Sequence, residues 1–259
     1  MSTELKSTRV RLLWLDVDNL SFAEAVDRIV GLCRSSRPAY VVTPNVDHYM
    51  QVRRDAVLQA IYAKADLVLA DGMPVVWASK LLRCPLKAKV SGSDLFEALN
   101  KRAAADGLRV FLLGGAPGVA EKAKAAIEAR YPGLQIVGTH SPKVAPDGGA
   151  EDGEAANARI REAAPDLLFV GFGCPKQEKW MVRNIDRLGP VVCLGVGVSF
   201  EFAAGVQRRA PRFLQTTGME WLWRLAHEPR RLWKRYLIND LPFLFHVIKE
   251  LVKPRSRRR

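Results

Sequence analysis

The sequence has few cysteines and no pair of them at the spacing of a metal-binding or redox motif. Its 259 residues include four cysteines, each in or beside an apolar stretch, at positions 33, 84, 174 and 193. Isolated thiols of this kind are typical of a reduced chain, whereas disulfide frameworks and zinc sites group their cysteines. No spaced His/Cys/Asp cluster and no Ser/His/Asp set stands out either. The sequence therefore predicts neither a metal site nor a nucleophilic triad.

Export signals and long apolar runs are also missing. Residues 1–9 lack the apolar core of a signal peptide, so we expect a chain that stays in the cytoplasm. Residues 237–252 contain ten large apolar side chains, but six proline, polar or charged residues interrupt them. Since spanning a bilayer takes about 20 mostly apolar residues, this stretch predicts no membrane-crossing helix.

Positive charge is concentrated at one end of the chain. The formal net charge is +13, and residues 207–259 hold 14 Lys and Arg residues against four acidic ones, a local charge of +10. Residues 1–206 therefore carry only +3. We expect two domains, a near-neutral catalytic body over 1–206 and a basic appendage over 207–259. Such a distribution indicates an anionic partner that the appendage alone meets.

The body repeats one unit, a short apolar strand followed by a helix. Ser21 and Glu24 form a capping-box pattern at the start of one such helix. Strands are predicted over 10–17, 40–42, 67–70, 109–113, 134–137, 167–170 and 191–194. Continuous apolar strands that alternate with helices are typical of a mostly parallel sheet covered on both faces. The predicted fold class is α/β, a Rossmann-like sheet with a basic helical appendage.

Asp71 stands at the end of a predicted strand, where open α/β sheets place their working residues. The apolar run Leu67–Ala70 stops there, and Pro74 suits the first turn of a following helix. Thr43 and Asn45 follow the preceding strand, before a helical stretch predicted to run through residue 60. A carboxylate beside a hydroxyl and an amide suits a general base for a sugar hydroxyl. The alternative is an aspartate that only caps the helix.

Two further patterns have weaker functional interpretations. His48 is a second candidate base, but its place a few residues into a helix is more typical of packing or support. Asp16-Val17-Asp18 matches the D-x-D pattern that holds a divalent metal in many glycosyltransferases. Because it precedes every nucleotide-binding unit, a role in a turn or cap is favoured over metal binding.

Three glycine-rich loops follow predicted strands and are candidates for phosphate binding. Residues 114–118 read GGAPG before a helix, where glycine N–H groups and the helix N-terminus both favour an anion. Residues 171–178 read GFGCPKQE, and residues 195–201 add GVG and a carboxylate. The alternative is a tight turn or a solvated helix start. The candidate ligands are Gly114, Gly115, Gly173, Lys176, Gln177, Glu178 and Glu201.

The 171–178 loop is the most specific of the three, because Lys suits a phosphate while Gln and Glu suit a base or sugar hydroxyls. All three residues are expected to project from a helix start. The chain has neither a G-x-G-x-x-G fingerprint nor a Walker A sequence. Dinucleotide and P-loop chemistry are therefore not indicated.

The basic appendage interleaves arginine with aromatic residues. Arg224, Arg231 and Arg235 fall at helical spacing, and the apolar residues 237–252 follow. Such a segment suits a membrane interface, with Lys253–Arg259 attracted to anionic lipid by about 1 kcal/mol per basic residue. Nucleic acid is the competing partner, although it has little use for the apolar run. A terminal helix packed on the core would explain the apolar residues but not the charge.

Several motifs together resemble the WecG/TagA/CpsF glycosyltransferase family. The similarity extends over about residues 10–240, and one departure is Glu201, where the family more often has aspartate. In chain order, the matching motifs are TPN at 43–45, ADGMP at 70–74, GGxPG at 114–118, GFGxPKQE at 171–178 and RAP at 209–211.

This resemblance implies an inverting, metal-independent transfer of a sugar from a UDP-sugar, typically UDP-N-acetylmannosamine or its uronate. The implied acceptor is a polyprenyl-diphosphate-linked sugar at the inner face of the bacterial membrane, in cell-surface polysaccharide synthesis. No cofactor is implied. The protein would be attached peripherally to the cytoplasmic membrane.

The resemblance also implies roles for individual residues. Asp71 is the implied catalytic base, with Thr43 and Asn45 beside it. The glycine loops and residues 176–178 would hold UDP, and the appendage would bring its arginines to the diphosphate. The matching arginines are Arg224, Arg231 and Arg235.

Two hypotheses compete with this one. A nucleotide-binding protein could dock on nucleic acid through its basic tail, or the chain could be another sugar-nucleotide enzyme, such as an epimerase or dehydrogenase. The missing dinucleotide fingerprint counts against the last. The sequence leaves open which sugar is moved and whether the chain forms a homo-oligomer.

Overall fold

A six-stranded parallel sheet forms the centre of the fold. The structure, a computed structural model, describes residues 9–253. The six strands are β3 (Ala39–Val42), β4 (Leu67–Val68), β5 (Arg109–Gly114), β6 (Gln135–His140), β7 (Leu167–Gly171) and β8 (Val192–Gly195). Their order in the sheet is β4-β3-β8-β7-β5-β6, and every neighbouring pair is parallel. The predicted Rossmann-like α/β class is confirmed.

An antiparallel hairpin precedes the sheet. The predicted single strand over residues 10–17 is wrong, because the chain forms β1 (Arg9–Leu12) and β2 (Leu15–Asp18), which pair with each other. Asp18 accepts a hydrogen bond from the Val68 N–H at 2.8 Å, and Asp16 pairs with Arg11 at 2.9 Å. Both carboxylates of the D-x-D pattern therefore hold the hairpin in place.

Helices cover both faces of the sheet. The helices of the body are α1 (Phe22–Cys33), α2 (Val46–Val52), α3 (Ala56–Lys64), α4 (Met73–Leu81), α5 (Gly92–Asp106), α6 (Val119–Arg130), α7 (Gly153–Ala163), α8 (Lys176–Asn184) and α9 (Ser199–Ala203). The Ser21/Glu24 capping box is present at the start of α1. The helical stretch predicted through residue 60 is two helices, because Asp55 caps α3 by accepting two backbone N–H bonds.

Two apolar cores lie on opposite faces of the sheet. Side chains alternate along each strand, so Phe111 and Leu113 of β5 join one core while Val110 and Leu112 join the other. Because both faces are covered, the strands are apolar throughout, which is the pattern visible in the sequence. Because all six strands are parallel, the loops that follow their carboxyl ends meet along one edge of the sheet.

Four short helices and a π-helical turn form the tail, which we define as residues 207–253. They are α10 (Arg212–Thr216), α11 (Glu220–His227), α12 (Pro229–Lys234), the turn (Arg235–Asn239) and α13 (Leu241–Val252). Within the described part of the chain, no helix is both long and apolar enough to cross a bilayer. The basic cluster predicted to meet lipid lies outside the described residues, apart from Lys253.

The last helix, α13, packs one stripe of side chains on the body. The Phe243 ring meets the Tyr49 ring edge-on at 5.5 Å, and Val247 is buried beside it. The opposite stripe, which includes Phe245 and Ile248, is exposed. The packed-helix alternative is therefore right for one face of this helix, and the other face has no partner within residues 9–253.

Candidate active site

A cavity of about 520 Å³ lies between the carboxyl edge of the sheet and the tail. One side is polar and the other is apolar. The polar side includes Asn45, Asp71, Lys89, Glu220, Arg224 and Arg235. The apolar side is formed chiefly by α4 and α13, with Trp77, Leu81, Leu241 and Leu244.

The backbone around Asp71 is fixed by two hydrogen bonds. The Asp71 N–H donates to the Pro44 carbonyl at 3.0 Å, and the Val90 N–H donates to the Ala70 carbonyl at 2.7 Å. Gly72 has a φ of +93°, a conformation that favours glycine, and it turns the chain into α4. These contacts hold Asp71 just after the carboxyl end of β4, where its side chain lines the cavity.

The carboxyl group of Asp71 has a pKa close to neutral pH. Burial raises its pKa to about 7, with Glu220 and Asp94 acting in the same direction and Lys89 and Arg224 opposing them. Within residues 9–253, no side chain donates a hydrogen bond to this carboxylate, so its oxygens are available to a substrate. A carboxylate of this pKa is suited to accept a proton from a hydroxyl group near neutral pH.

Asn45 joins the body to the tail. It caps α2, and its Oδ1 also accepts a hydrogen bond from Arg235 at 3.3 Å. Arg235 additionally pairs with Asp47 at 3.4 Å. A guanidinium of the tail is thus placed at the polar side of the cavity by residues that follow β3.

Arg224 brings a second guanidinium to the cavity. It lies over the Phe202 ring at 5.2 Å and within 3.8 Å of the Glu220 carboxylate. Lys89 adds an ammonium group, held 3.3 Å from Asp94. The cavity therefore combines the carboxyl groups of Asp71, Glu220 and Asp240 with three cations, and the cations are suited to a negatively charged leaving group.

Comparison with known proteins identifies the family. Residues 10–257 match the model of the glycosyl transferase WecG/TagA/CpsF family. The chain belongs to this family. It is 30% identical over 254 residues to proteins of Staphylococcus aureus strains MW2 and NCTC 8325, with 96% of each chain covered. Each relative is named N-acetylglucosaminyldiphosphoundecaprenol N-acetyl-beta-D-mannosaminyltransferase.

Membership of the WecG/TagA/CpsF family confirms the enzyme hypothesis, since the chain is a glycosyltransferase. It favours this hypothesis over a nucleotide-binding protein that docks on nucleic acid, and over an epimerase or dehydrogenase. The family resemblance that the sequence motifs predicted is confirmed across nearly the whole chain.

The structure brings four of the predicted site residues of this family member into one cavity, namely Asn45, Asp71, Arg224 and Arg235. Thr43 is buried at the end of β3, where its Oγ1 is 3.2 Å from the position that a Cβ on Gly92 would take. Thr43 is therefore close to the start of α5 rather than on the cavity wall.

The glycines of the first two loops allow close packing between the loops. A Cβ on Gly114 would lie 2.6 Å from the Gly171 carbonyl oxygen, and the Gly115 N–H donates to that oxygen at 3.0 Å. Gly173 has a φ of +75° and open space around it, so it serves the turn. Phosphate binding by these loops stays a prediction.

The start of α8 differs from expectation. Lys176 is partly exposed, but Gln177 and Glu178 are buried, so the prediction that all three project from the helix is wrong. Gln177 accepts a hydrogen bond from the Gly197 N–H at 3.1 Å and donates to Glu178 at 2.9 Å. The reason is that α8 packs on the sheet, which buries Gln177 against the loop after β8 and Glu178 beside His48 and Cys174.

Three potential metal ligands meet beneath the loops. The ligand atoms of His48, Cys174 and Glu178 lie within 4.8 Å of one another. The His48 Nδ1 accepts the Asn45 backbone N–H at 3.1 Å, which leaves the proton of the neutral ring on Nε2. Burial lowers the pKa of His48 to about 3, with Arg235 acting in the same direction. A histidine in this tautomer supports Asn45 and is not set up to bind a metal through Nε2.

Glu201 and Arg231, two further predicted residues, are also absent from the lining of the cavity. Glu201, on α9, is half-buried, and burial raises the pKa of its carboxyl. Arg231 is exposed and pairs with Glu228 at 2.8 Å. The helical spacing of the tail arginines is misleading, because the chain leaves the helical conformation at Glu228, just before Pro229.

Sequence reasoning missed several residues of the cavity. Lys89 lies in a loop without a recognisable motif, and Glu220 and Asp240 entered only as acidic residues of a basic tail. The signal for Glu220 was its spacing of four residues from Arg224, which places the two on one helix face. No comparable local signal marks Lys89.

Proposed function

We propose that this glycosyltransferase moves N-acetylmannosamine from its UDP derivative to a polyprenyl-diphosphate-linked sugar. The observation that carries the proposal is one cavity in which a carboxylate with a pKa of about 7 stands between cations and an apolar wall. The S. aureus relatives, by name, use a diphosphoundecaprenol-linked N-acetylglucosamine. Closely related hexoses, including the uronate, are the alternative donors.

In the proposed reaction, Asp71 accepts the proton of a hydroxyl group of the acceptor. The oxygen of that hydroxyl group attacks the anomeric carbon of the donor. The bond from that carbon to the UDP oxygen breaks, and UDP leaves with the electron pair. Attack from the face opposite UDP inverts the anomeric configuration. We propose that Asn45, which lines the same cavity, orients the acceptor, and that Thr43 supports the same edge of the sheet.

The charge of the departing UDP is proposed to be held by protein groups alone. Arg224, Arg235 and Lys89 provide cations at the polar side of the cavity. The glycine-rich loops and Lys176 lie at the same sheet edge and offer backbone N–H groups and a further ammonium group to the nucleotide. We propose that no cofactor is needed for this step.

The apolar side of the cavity suits the lipid part of the acceptor. Trp77 and Leu81 of α4 face Leu241 and Leu244 of α13 across the cavity, and all four are also partly exposed to the outside. A prenyl chain that leaves this opening would continue directly into a bilayer. We therefore propose peripheral attachment to the cytoplasmic membrane through the tail.

We propose that the body and the tail have different roles, with the boundary between them at the change in charge after residue 206. Residues 1–206 would hold the nucleotide sugar and the base, while residues 207–259 would hold the membrane and the leaving diphosphate. The exposed stripe of α13 and the basic residues of the tail support this assignment, since apolar and cationic groups together bind anionic interfaces.

The experiment is a donor screen with purified protein. UDP-N-acetylmannosamine, its uronate, UDP-N-acetylglucosamine and UDP-glucose are each offered with a short polyprenyl-diphosphate N-acetylglucosamine. We expect a disaccharide product, identified by mass and anomeric NMR coupling, to form fastest from UDP-N-acetylmannosamine. Transfer to water only, or no transfer from any UDP-sugar, would contradict the proposal.

A further inference from the structure

The tail contributes a carboxylate to the cavity beside Asp71. Glu220 is the first residue of α11 and lines the same cavity as Asp71. Its only ion pair within residues 9–253 is a loose one, 3.8 Å from the Arg224 Nε. A carboxylate so weakly neutralised keeps most of its field in a partly dry cavity.

Gly218 brings this part of the tail against the helix that follows Asp71. It is buried and has a φ of +76°. A Cβ at this position would lie 2.7 Å from the Met73 Cβ and 2.7 Å from the Trp77 ring. The tail backbone therefore lies directly on the start of α4, and no larger residue fits without displacing it. Glu220 follows two residues later.

Resting on the proposed role of Asp71 as the base, we propose that Glu220 is a positioning residue of the tail that makes Asp71 an effective base. The negative charge of Glu220, placed by the Gly218 contact, strengthens the affinity of the Asp71 carboxylate for the acceptor proton. Asp71 then reaches full base strength only while the tail is docked on α4.

The other charged groups near Asp71 differ from Glu220 in how they are paired. Asp94 of α5 is neutralised by Arg209 at 2.5 Å and by Lys89 at 3.3 Å. Arg235 of the π-helical turn and Asp240, the residue after that turn, also line the cavity. Arg235 is engaged with Asn45 and Asp47 of α2, on the body side.

The electrostatics agree with this placement. After burial, Glu220 is the largest influence that raises the pKa of Asp71, ahead of Asp94, and Lys89 and Arg224 act against it. Removal of the Glu220 charge should therefore make Asp71 easier to ionise and a weaker base. Because glutamine has the shape of glutamate, Glu220→Gln should keep the packing of the tail.

The first test is the pH dependence of kcat/KM for transfer by the full chain. In the wild type, activity should rise with pH as Asp71 ionises, with a midpoint near 7. Glu220→Gln should move this midpoint down by about half to one pH unit and lower the plateau by about three- to tenfold. The matched control is Glu250→Gln, which removes a tail carboxylate that pairs only with Lys253 among the described contacts; it should leave the profile unchanged.

An unchanged midpoint in Glu220→Gln would overturn the proposal, whether or not the plateau falls, because a purely structural role lowers the rate without moving the midpoint. Loss of activity at every pH in Glu220→Gln, together with retained activity in Asp71→Asn, would also overturn it. That pair of results would make Glu220 the base.

A second readout does not depend on transfer. The unfolding midpoint at pH 8 is measured for wild type, Asp71→Asn, Glu220→Gln and the double variant. Because two carboxylates repel each other, Glu220→Gln should be more stabilising, or less destabilising, with Asp71 present than in the Asp71→Asn background. Additive effects would overturn the proposal. If the wild type showed no transfer but this coupling were present, the proposed function would fail while the electrostatic coupling stood.

Discussion

The body and the tail are held together in different ways. In the body, strands such as β7 are completely buried, and even the polar side chains Gln177 and Glu178 lie in the interior. The tail has only a few buried residues, among them Leu232, Phe243 and Val247. Within residues 9–253, eleven of the fifteen exposed large apolar side chains belong to the tail, which shows how incompletely the body covers it.

This difference means that the stability of the fold depends mainly on the body, while part of the active site depends on the tail. The body has its own two cores, whereas the tail relies on a stripe of α13 and on contacts at Gly218 and Arg235. Burial of one apolar side chain of that stripe contributes about 1.5–3 kcal/mol, so the docked tail is held by few such groups. The cavity nevertheless takes its cations Arg224 and Arg235 from the tail. Changes in the tail should therefore alter catalysis more than folding.

Arg224→Ala should have the largest effect of a tail substitution on transfer. Loss of one positioned cation at a developing negative charge lowers kcat by about 10²–10³-fold. The unfolding midpoint should change little, because Arg224 is partly exposed and its ion pair is long. The matched control is Arg230→Ala, an exposed arginine of the same tail. Equal activity in the two variants would show that the tail cation has no role in the reaction.

Membrane binding should respond to the exposed stripe of α13. Phe245 is 64% exposed there, and Phe245→Glu replaces an apolar group with a charge that anionic lipid repels. We expect the affinity for vesicles of phosphatidylglycerol and phosphatidylcholine to fall about tenfold or more in a sedimentation assay. Val57→Glu changes a residue of similar exposure, 60%, on the body and should have little effect. A similar loss in both would refute the assignment of this face to the membrane.

Gly218→Ala should loosen the tail without unfolding the body. The added Cβ would meet Met73 and Trp77 at 2.7 Å, which costs about 1–3 kcal/mol of overpacking. We expect transfer to fall about tenfold and protease cleavage within the tail to accelerate. Gly205→Ala is the control, because its φ is also positive, at +70°, but it has open space around it. If the two variants behaved alike, backbone strain rather than docking would be the cause.

The smallest expected effect is a pH dependence of stability at Asp240. Burial raises its pKa to about 7, with Asp47 acting in the same direction and Arg235 opposing them. The unfolded chain ionises this group near pH 4, so the folded state loses stability as pH rises from about 4 to about 7. Asp240→Asn should make the unfolding midpoint less dependent on pH in this range. Asp16→Asn, in an exposed ion pair, is the control and should leave that slope unchanged.

Much of the body could be predicted from the sequence. Parallel strands buried on both faces are apolar throughout, so β3 to β8 are visible as runs separated by turn residues. The hairpin of β1 and β2 was missed because its turn, Leu13-Trp14, has none of the Asn, Asp or Gly residues that mark such turns. Local pattern was sufficient where burial on both faces makes a strand apolar throughout, and it failed where a turn lacks its usual residues.

The site was harder to predict, because its parts meet only after folding. Asp71 and Asn45 were identified since strand ends converge at one edge of a parallel sheet. Lys89 and Asp240 reach the same cavity through long-range packing that leaves no periodic signal. The spacing of Glu220 and Arg224 places them on one helix face but does not show that this face meets Asp71. Arg231 was predicted from helical spacing, which the break at Glu228 interrupts. Gln177 and Glu178 look like solvated residues of a helix start until the packing of α8 is known.

The most direct test of the two-part site is Asp71→Asn in the full chain, with transfer and UDP binding measured on the same preparation. Asparagine keeps the shape of the side chain but cannot accept the proton, so transfer should fall about 10²–10⁴-fold. The Kd for UDP should change by less than about threefold, because the proposed phosphate contacts lie elsewhere. Transfer at the wild-type rate would contradict the role of Asp71, and an equal loss of UDP binding would make it a binding residue instead of the base.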